Sequence, residues 1–219
     1  MFAMTECKPV PTPIYKDKPG PRMGEDPSCD RDLYLKLIGS LSWIAIGTDP
    51  DISFAFSYLG RFNTDPSLIY WTCAKRVLGY HKGTKHLKLS LGGELEVSRQ
   101  WKEGFRLSGY VDSDFAGEAT SLKSTTSYVL LHGSGIVQWH SKFQSITASS
   151  TANAEFIASV SAIQELSGFV NWFKKSRAHH YKSVCYPMTI KRPCLRSKIL
   201  PTSRIASIPA FKFITLGSL

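Results

Sequence analysis

The sequence lacks three features that would assign it to a familiar class. No apolar run approaches the roughly 20 residues that a membrane-spanning helix needs, so we expect no membrane partner. Residues 1–4 run directly into polar, proline-rich sequence, so no signal peptide is visible and we expect an intracellular location. None of the 5 cysteines stands at Cys-x-x-Cys spacing, which argues against a zinc ribbon and fits a reducing compartment.

Acidic residues are missing from the C-terminal part of the chain, where Glu165 is the last one. The net charge of +10 arises entirely beyond that point, because the remainder of the chain is balanced. Such a tail can bind nucleic acid by neutralising phosphates, or it can be a solvated or out-of-frame segment. We predict that residues 191–219 form a basic tail that is disordered or read out of frame, and the nucleic-acid interpretation stays open.

Prolines, by contrast, are concentrated near the N-terminus. Six of the 12 prolines lie between Cys7 and Cys29, a density that prevents a helix or a central strand. Residues 1–31 are therefore predicted to be a linker. The next segment, residues 32–104, is predicted to be a small helical subdomain, because apolar residues recur there at helical spacing. Asp49-Pro50 and Asp65-Pro66 are typical of helix starts, with Asp as the cap and Pro in the first turn.

Several basic residues lie on the predicted helices of this subdomain. Arg61, Lys75, Arg76 and Lys82 are candidates for binding a nucleic-acid backbone. The alternative interpretation is that each one belongs to a solvated helix face. The sequence does not decide between the two interpretations.

Residues 105–190 have the pattern of a second, mixed domain. Strands are predicted near 106–111, 125–131 and 136–141, with turn residues between the second and third. A Ser/Thr run then caps a long helix from about Thr151 to Trp172. Trp139 and Trp172 are interpreted as core or half-buried aromatic residues. A fourth strand is expected near 188–190.

Two carboxylates stand out in this second domain. Asp112 interrupts the far end of the first strand, and Glu155 is placed in the first turn of the long helix. Oxygen ligands from two or three carboxylates suit Mg²⁺, which keeps several waters. The alternative is an edge-strand Asp and a Glu favoured by the helix dipole. Asp114 could replace Asp112 as a ligand, although a turn position suits it better.

Residues 109–117, 123–129 and 149–158 form three motifs of this domain, and they resemble the ribonuclease H domain of copia-type retrotransposon Pol polyproteins. Residues 34–41, 49–53 and 71–78 form three upstream motifs, and they resemble the segment that joins reverse transcriptase to that domain. The likeness runs from about Cys7 to Ile190 and rests on several motifs in the right order.

This resemblance implies an α+β fold, a ribonuclease H-like mixed sheet with a long helix, preceded by the helical connection subdomain. It implies Mg²⁺ or Mn²⁺ as cofactor, held in part by Asp112 and Glu155. It also implies an RNA–DNA hybrid or other nucleic acid as partner, beside the reverse transcriptase of the parent polyprotein. No Tyr-x-Asp-Asp motif occurs, so these residues do not support polymerase activity.

The chain departs from the family pattern after the fourth strand. Family members use a cluster that includes an Asp at the end of this strand and a further late Asp, to hold two metal ions. Here Lys191-Arg192 follows Ile190, and no acidic residue occurs from there to Leu219. We therefore expect a catalytically inactive remnant and hypothesise a frameshift near Ile190, and whether the chain binds Mg²⁺, Mn²⁺ or no metal stays open. The alternatives are an active hybrid-specific nuclease and a non-catalytic nucleic-acid-binding module.

Overall fold

The computed structural model describes residues 2, 4, 6–22, 24, 26–89, 107–117, 121–132, 135–176 and 188–191. These residues fall into two compact units, the first within residues 1–89 and the second within residues 107–191. The predicted boundary between the helical subdomain and the second domain, at residues 104 and 105, lies outside the described residues. Among the described residues, no helix combines the length and the apolar character needed to cross a membrane.

The described part of the first unit is helical. Its elements are α1 (Arg31–Gly47), a 3-10 turn (Pro50–Ile52), α2 (Ser53–Leu59), a second 3-10 turn (Gly60–Phe62) and α3 (Leu68–Thr84). The carboxylate of Asp30 caps α1 by accepting hydrogen bonds from the backbone N–H groups of Asp32 and Leu33, at 2.9 and 3.1 Å. This cap satisfies two N–H groups that a helix start leaves without an intrahelical acceptor.

Helix α1 buries the face that its apolar period predicts. Its buried residues are Tyr34, Leu37, Ile38, Leu41 and Ala45. The hydroxyl of Tyr34 donates a hydrogen bond to the backbone carbonyl of Leu59, at 2.8 Å, so this buried polar atom is satisfied. Burial raises the pKa of Tyr34 because the phenolate would lose its hydration. The polar end of the ring thus links α1 to the end of α2.

The two predicted Asp-Pro helix starts have different outcomes. Pro50 does stand at the first position of a helical turn, but that turn is 3-10 and the side chain of Asp49 makes no capping hydrogen bond. Helix α3 begins at Leu68 with Ser67 as its N-cap, so the predicted start at Asp65 is wrong. Asp65 instead accepts a charged hydrogen bond from Arg22. A contact distant in sequence therefore overrides the local signal.

The proline-rich segment contains neither α-helix nor extended strand in its described residues, as its composition predicts. It is nevertheless packed on the helices, and we call residues 7–28 the strap. The hydroxyl of Tyr70 donates to the carbonyl of Gly20 at 2.9 Å. The ammonium of Lys82 donates to the carbonyl of Cys7, also at 2.9 Å. The proline content predicts a linker but does not predict this packing.

The second unit contains a four-stranded sheet in the order β3-β2-β1-β4. The strands are β1 (Leu107–Asp114), β2 (Thr125–His132), β3 (Gly135–Phe143) and β4 (Met188–Lys191). Strands β1, β2 and β3 pair antiparallel, and β4 pairs parallel to β1. The long helix, α4 (Thr151–Ser176), lies between β3 and β4 in the chain. The predicted α+β class, strands and long helix are confirmed.

Helix α4 packs on one face of this sheet through a stripe of small and apolar residues. Ala158, Ala162 and Leu166 recur every four residues and are at most 2% exposed. They pack with Val111 from β1 and with Tyr128 and Leu130 from β2. The two alanines allow close approach between helix and sheet because they have no atoms beyond Cβ. This stripe forms the described core of the second unit.

One prediction about this core is wrong. Trp172 was expected to be core or half-buried, yet it is 62% exposed. It lies off the stripe that begins at Ala158, and its ring contacts Phe169 on the same helix with centroids 6.0 Å apart. Trp139 on β3 is half-buried, as expected. The predicted tail lies outside the described residues, apart from Lys191.

Candidate functional site

Asp112 and Glu155 occupy different elements of the second unit. Asp112 lies on β1 opposite Ser127 of β2 and is partly buried. Glu155 lies on α4 and is only 7% exposed. The helix begins at Thr151, so Glu155 falls in its second turn and the predicted first-turn placement is wrong. The dipole effect fades within the first turn, so it gives a weak explanation for this buried carboxylate.

The pleat of the sheet assigns Asp112 to one face. Val111 packs against α4, and side chains alternate along a strand, so the neighbouring Asp112 belongs to the other face. Ser127, its cross-strand partner, donates its hydroxyl to that of Ser141 on β3 at 3.0 Å. Asp112, Ser127 and Ser141 therefore form a polar row across β1, β2 and β3, on the face of the sheet away from α4. Asp112 thus lies on the face of the sheet opposite to the helix that carries Glu155.

The helix turn that carries Glu155 is held by Gln144, a residue that sequence analysis did not select. Its side-chain amide donates to the carbonyl of Ala154 at 2.8 Å and to the hydroxyl of Thr126 at 3.1 Å. The backbone N–H of Gln144 donates to the carbonyl of Ser124 at 2.9 Å. Gln144 thus ties the start of α4 to β2. A buried Gln directly after a strand has no periodic signal, so only the structure reveals it.

The start of α4 has the hydroxyl cap that its sequence predicts. The backbone N–H of Asn153 donates to the hydroxyl of Ser150 at 3.2 Å, and the Asn153 amide donates to the hydroxyl of Ser149 at 3.1 Å. These two serines therefore have structural partners at the helix start. The capping interpretation of the Ser/Thr run is confirmed at Ser150.

Asp114, the alternative ligand, is the last residue of β1 and is exposed. A Cβ atom at residue 117 would collide with its carboxylate oxygen Oδ2, so the carboxylate occupies the space left by Gly117. Ala116, between them, has a φ of 49°, in the left-handed region that turns use. Asp114 is therefore a strand residue paired with Thr125, and only its carboxylate borders the turn that follows β1, so its interpretation as a turn residue is wrong.

The residues present do not fit a site for two metal ions. Within the described part of the chain, no group of three or more His, Cys, Asp and Glu side chains could hold a metal ion. Strand β4 ends at Lys191, whose partner in the parallel register is Tyr110, two residues before Asp112. A cationic residue thus ends the strand beside β1. Asp112 and Glu155 are too few carboxylates to hold two metal ions, and Lys191 adds a positive charge at the end of the neighbouring strand.

The basic residues proposed to contact nucleic acid are engaged inside the first unit. The Arg76 guanidinium donates to the hydroxyl of Thr12 in the strap at 2.8 Å. Lys82 holds the strap through Cys7, as described above. The charged groups of Arg61 and Lys75 lie over neighbouring aromatic rings, 4.2 Å from the Tyr58 centroid and 5.9 Å from the Trp71 centroid, respectively. Binding of nucleic acid by these four residues stays a prediction.

A titratable pair lies on β2 and β3, away from Asp112. The rings of Tyr128 and His140 stack with centroids 5.5 Å apart. Burial, then the nearby Glu165, raises the pKa of Tyr128 to about 12. Burial, then the nearby Lys142, lowers the pKa of His140, while Glu165 opposes this shift. Tyr128 packs against α4, whereas His140 is exposed on β3, and Gln138 of β3 donates to Glu165 of α4 at 2.9 Å.

Comparison with known proteins identifies relatives among transposon polyproteins. The chain is 30% identical over 191 residues to the retrovirus-related Pol polyprotein from transposon TNT 1-94 of Nicotiana tabacum, covering 84% of this chain and 14% of the relative. It is 32% identical over 158 residues to the Pol polyprotein from transposon RE1 of Arabidopsis thaliana, covering 70% of this chain and 10% of the relative. The chain therefore spans a small part of these polyproteins.

A shorter relative matches over most of its own length. The secreted RxLR effector protein 161 of Plasmopara viticola is 34% identical over 132 residues, which cover 60% of this chain and 87% of that protein. No protein-family model matches the chain, and no solved structure matches it.

Proposed function

The chain belongs to the retrovirus-related Pol polyproteins of copia-type transposons, and on that premise we propose that its second unit is a ribonuclease H-like domain without hydrolytic activity. The first unit is then the connection that precedes this domain in the parent polyprotein. The same proposal gives the chain two partners: an RNA–DNA hybrid or other nucleic acid, and the reverse transcriptase of the parent polyprotein.

The sheet topology supports the ribonuclease H-like assignment. Three antiparallel strands are followed by a long helix and then by a fourth strand that pairs parallel to the first. In the sheet, the strand that carries Asp112 lies between β2 and β4. Along the chain, the helix that carries Glu155 precedes β4 in the order of described elements. The resemblance of residues 109–117 and 149–158 to the family motifs falls on β1 and on the start of α4.

The end of β4 carries the proposal of inactivity. Family members place a carboxylate there, whereas this chain has Lys191. Two metal ions would need that carboxylate to neutralise their charge, and a cation in its place repels them. Asp112 and Glu155 alone could hold at most one hydrated ion weakly.

The test is an assay of purified protein with a labelled RNA–DNA hybrid and Mg²⁺ or Mn²⁺. We expect no cleavage above background, and the same background for Asp112→Asn and Glu155→Gln. A ribonuclease H of known activity serves as the positive control for the substrate. Metal-dependent cleavage that either substitution abolishes would contradict the proposal and favour the active-nuclease alternative.

The excess of basic residues supports a second candidate, non-catalytic binding of nucleic acid. The chain carries 27 Lys and Arg against 17 Asp and Glu. Binding of this origin should be insensitive to sequence and should weaken steeply as salt increases, because it releases counterions from phosphates. Fluorescence anisotropy with two unrelated duplexes over a salt series measures this. Salt-independent or sequence-selective binding would rule out this candidate.

A further inference from the structure

The first half of the strap, residues 7–15, lies on α3 and covers two of its cations. The Arg76 guanidinium donates to the hydroxyl of Thr12 at 2.8 Å and lies over the ring of Tyr15, 4.1 Å from the centroid. The ammonium of Lys82 donates to a backbone carbonyl of the same segment at 2.9 Å. Both cations are half-buried, although Arg and Lys side chains are mostly exposed in proteins. The strap therefore occupies two of the four basic residues that were predicted to contact nucleic acid.

Two glycines of α3 form the surface on which this segment is seated. A Cβ atom at residue 79 would lie 3.4 Å from the carbonyl oxygen of Lys8, and one at residue 83 would lie 3.0 Å from the Cβ atom of Pro9. Because Gly79 and Gly83 have no side chains, the strap can approach the helix closely there. Each glycine lies within one helical turn of a covered cation, so the fit of the segment to α3 holds it over both cations.

The segment covers these cations without neutralising them. Residues 7–15 contain no Asp or Glu, and their one charged side chain is that of Lys8. Within the described residues, the partners of Arg76 are the Thr12 hydroxyl and the Tyr15 ring, and its Nε atom is buried without a hydrogen-bond acceptor. A guanidinium has five N–H donors, and its charge-assisted bonds to phosphate are stronger than a bond to a hydroxyl. Phosphate would therefore satisfy Arg76 better than the strap does.

We propose that the first half of the strap is autoinhibitory: while it lies on α3 it excludes phosphate from Arg76 and Lys82, and its release exposes them to a nucleic-acid backbone. This inference rests on the second candidate function, non-catalytic binding of nucleic acid, and adds a regulation to it. The second half of the strap stays on α3 through the carbonyls of Gly20 and Pro27. Because the segment and the phosphates compete for the same groups, bound nucleic acid favours release and release favours binding.

The first experiment releases the segment without changing the net charge. A fluorescently labelled DNA duplex is titrated with the full-length protein at low salt, and anisotropy measures the affinity. Gly83→Leu places a side chain where Pro9 lies, and the double variant Thr12→Ala, Tyr15→Ala removes the partners of the covered guanidinium. Both variants should bind the duplex about fivefold more tightly than the wild type, because phosphate no longer has to displace the segment.

The matched control for Gly83→Leu is Gly39→Leu on α1. A Cβ atom at residue 39 meets no atom within 4 Å, so this change adds the same side chain to a helical glycine away from the strap. Its affinity for the duplex should equal that of the wild type. A gain in Gly39→Leu of the same size as in Gly83→Leu would show that release of the segment is not the cause.

Removing a charge tests whether the gain comes from the covered cations. Arg76→Gln, added to Gly83→Leu, should abolish most of the gain and lower the slope of log affinity against log salt by about one. Lys36→Gln in the same background removes one exposed charge on α1 and should leave most of the gain in place. Equal losses in these two double variants would mean that the gain reflects net charge alone.

Release of the segment can also be measured directly at Cys7, which is only partly exposed when the strap is docked. Alkylation by iodoacetamide, followed by peptide mass spectrometry, gives its rate of modification. The rate should rise in Gly83→Leu without DNA, and in the wild type when the duplex is added. Cys73, which is 3% exposed in the core, is the internal reference and becomes labelled only if the first unit unfolds. If Gly83→Leu unfolds, the double variant at Thr12 and Tyr15, which leaves α3 unaltered, decides the question.

The outcomes separate this inference from the binding function itself. If the wild type binds the duplex and a releasing variant with faster Cys7 alkylation binds no more tightly, autoinhibition is wrong and the binding candidate stands. If neither the wild type nor the releasing variants bind, both are wrong. Unchanged alkylation of Cys7 in both releasing variants, or in the wild type saturated with duplex, would show that the segment does not leave α3 and would also overturn the inference.

Discussion

The first unit surrounds its buried core with three helices and the strap, whereas the second covers one face of a sheet with one helix. In the described residues the first core cluster contains 14 buried residues, and the cluster between α4 and the sheet contains 6. The strap adds tethers to the first unit, including the charged pair between Arg22 and Asp65. The helical elements supply all 14 buried residues of the first cluster, and the strap packs the partly buried Val10 and Ile14 against them.

The largest effect should come from truncating a leucine in each core. Leu41 on α1 and Leu130 on β2 are both fully buried. Each change to Ala should cost about 2–5 kcal/mol of unfolding free energy, because it removes apolar contacts and leaves a cavity. We expect Leu41→Ala to lie towards the upper end, since Leu41 belongs to the larger of the two clusters of buried residues. Urea unfolding measures this, with exposed Ile46→Ala as the control; equal losses for all three variants would refute the comparison.

A smaller effect should follow from releasing the strap. Arg22→Ala removes the pair with Asp65 and the donation to the carbonyl of Asp26 at 2.8 Å. The loss should be about 1 kcal/mol or less, because Asp65 is exposed and solvent screens the pair. Limited proteolysis should cut residues 7–28 faster in this variant. The exposed Lys36→Ala is the control, and unchanged cleavage in Arg22→Ala would show that the pair does not hold the strap.

The smallest expected effect is a pH dependence located in the second unit. The pKa of His140 is lowered in the folded state, so the unfolded chain binds its proton more readily. The stabilising contribution is therefore present above the unfolded value of about 6.5 and is lost as the pH falls through the folded value. His140→Gln should reduce the fall in urea stability between neutral and mildly acidic pH. If His140→Gln left the pH dependence of unfolding free energy unchanged, His140 would not be the source of the stability loss at mildly acidic pH.

Much of the fold was predictable because local periodicity and burial agree. The helical spacing of Tyr34, Leu37 and Leu41 matches a buried face. The alternation in β1 and the β-branched and aromatic residues of β2 match two paired strands. Trp172 was mispredicted because an apolar residue on a long helix need not face the sheet. The start of α3 was mispredicted because Arg22 engages Asp65, a contact that spans 43 residues.

The candidate site was predictable only in its components. Asp112 and Glu155 follow from motif resemblance, and the substitution of Lys191 for a carboxylate can be read directly from the chain. The role of Gln144 could not be predicted, because its partners Thr126 and Ala154 lie on β2 and at the start of α4, which only the folded chain brings together. The covering of Arg76 by the strap was equally invisible, because its partner Thr12 is 64 residues away in the chain.

The sequence by itself determined the order and kind of the elements, the family of the chain and the cationic end of the fourth strand. These properties depend on residue types and short-range periodicity, which neighbouring residues specify through backbone preference and hydrophobic pattern. Only the tertiary structure decided that the proline-rich segment packs as a strap, that Asp112 belongs to the face away from α4, and that the strap covers Arg76. Those properties depend on contacts between residues far apart in the chain, and local preferences do not encode such contacts.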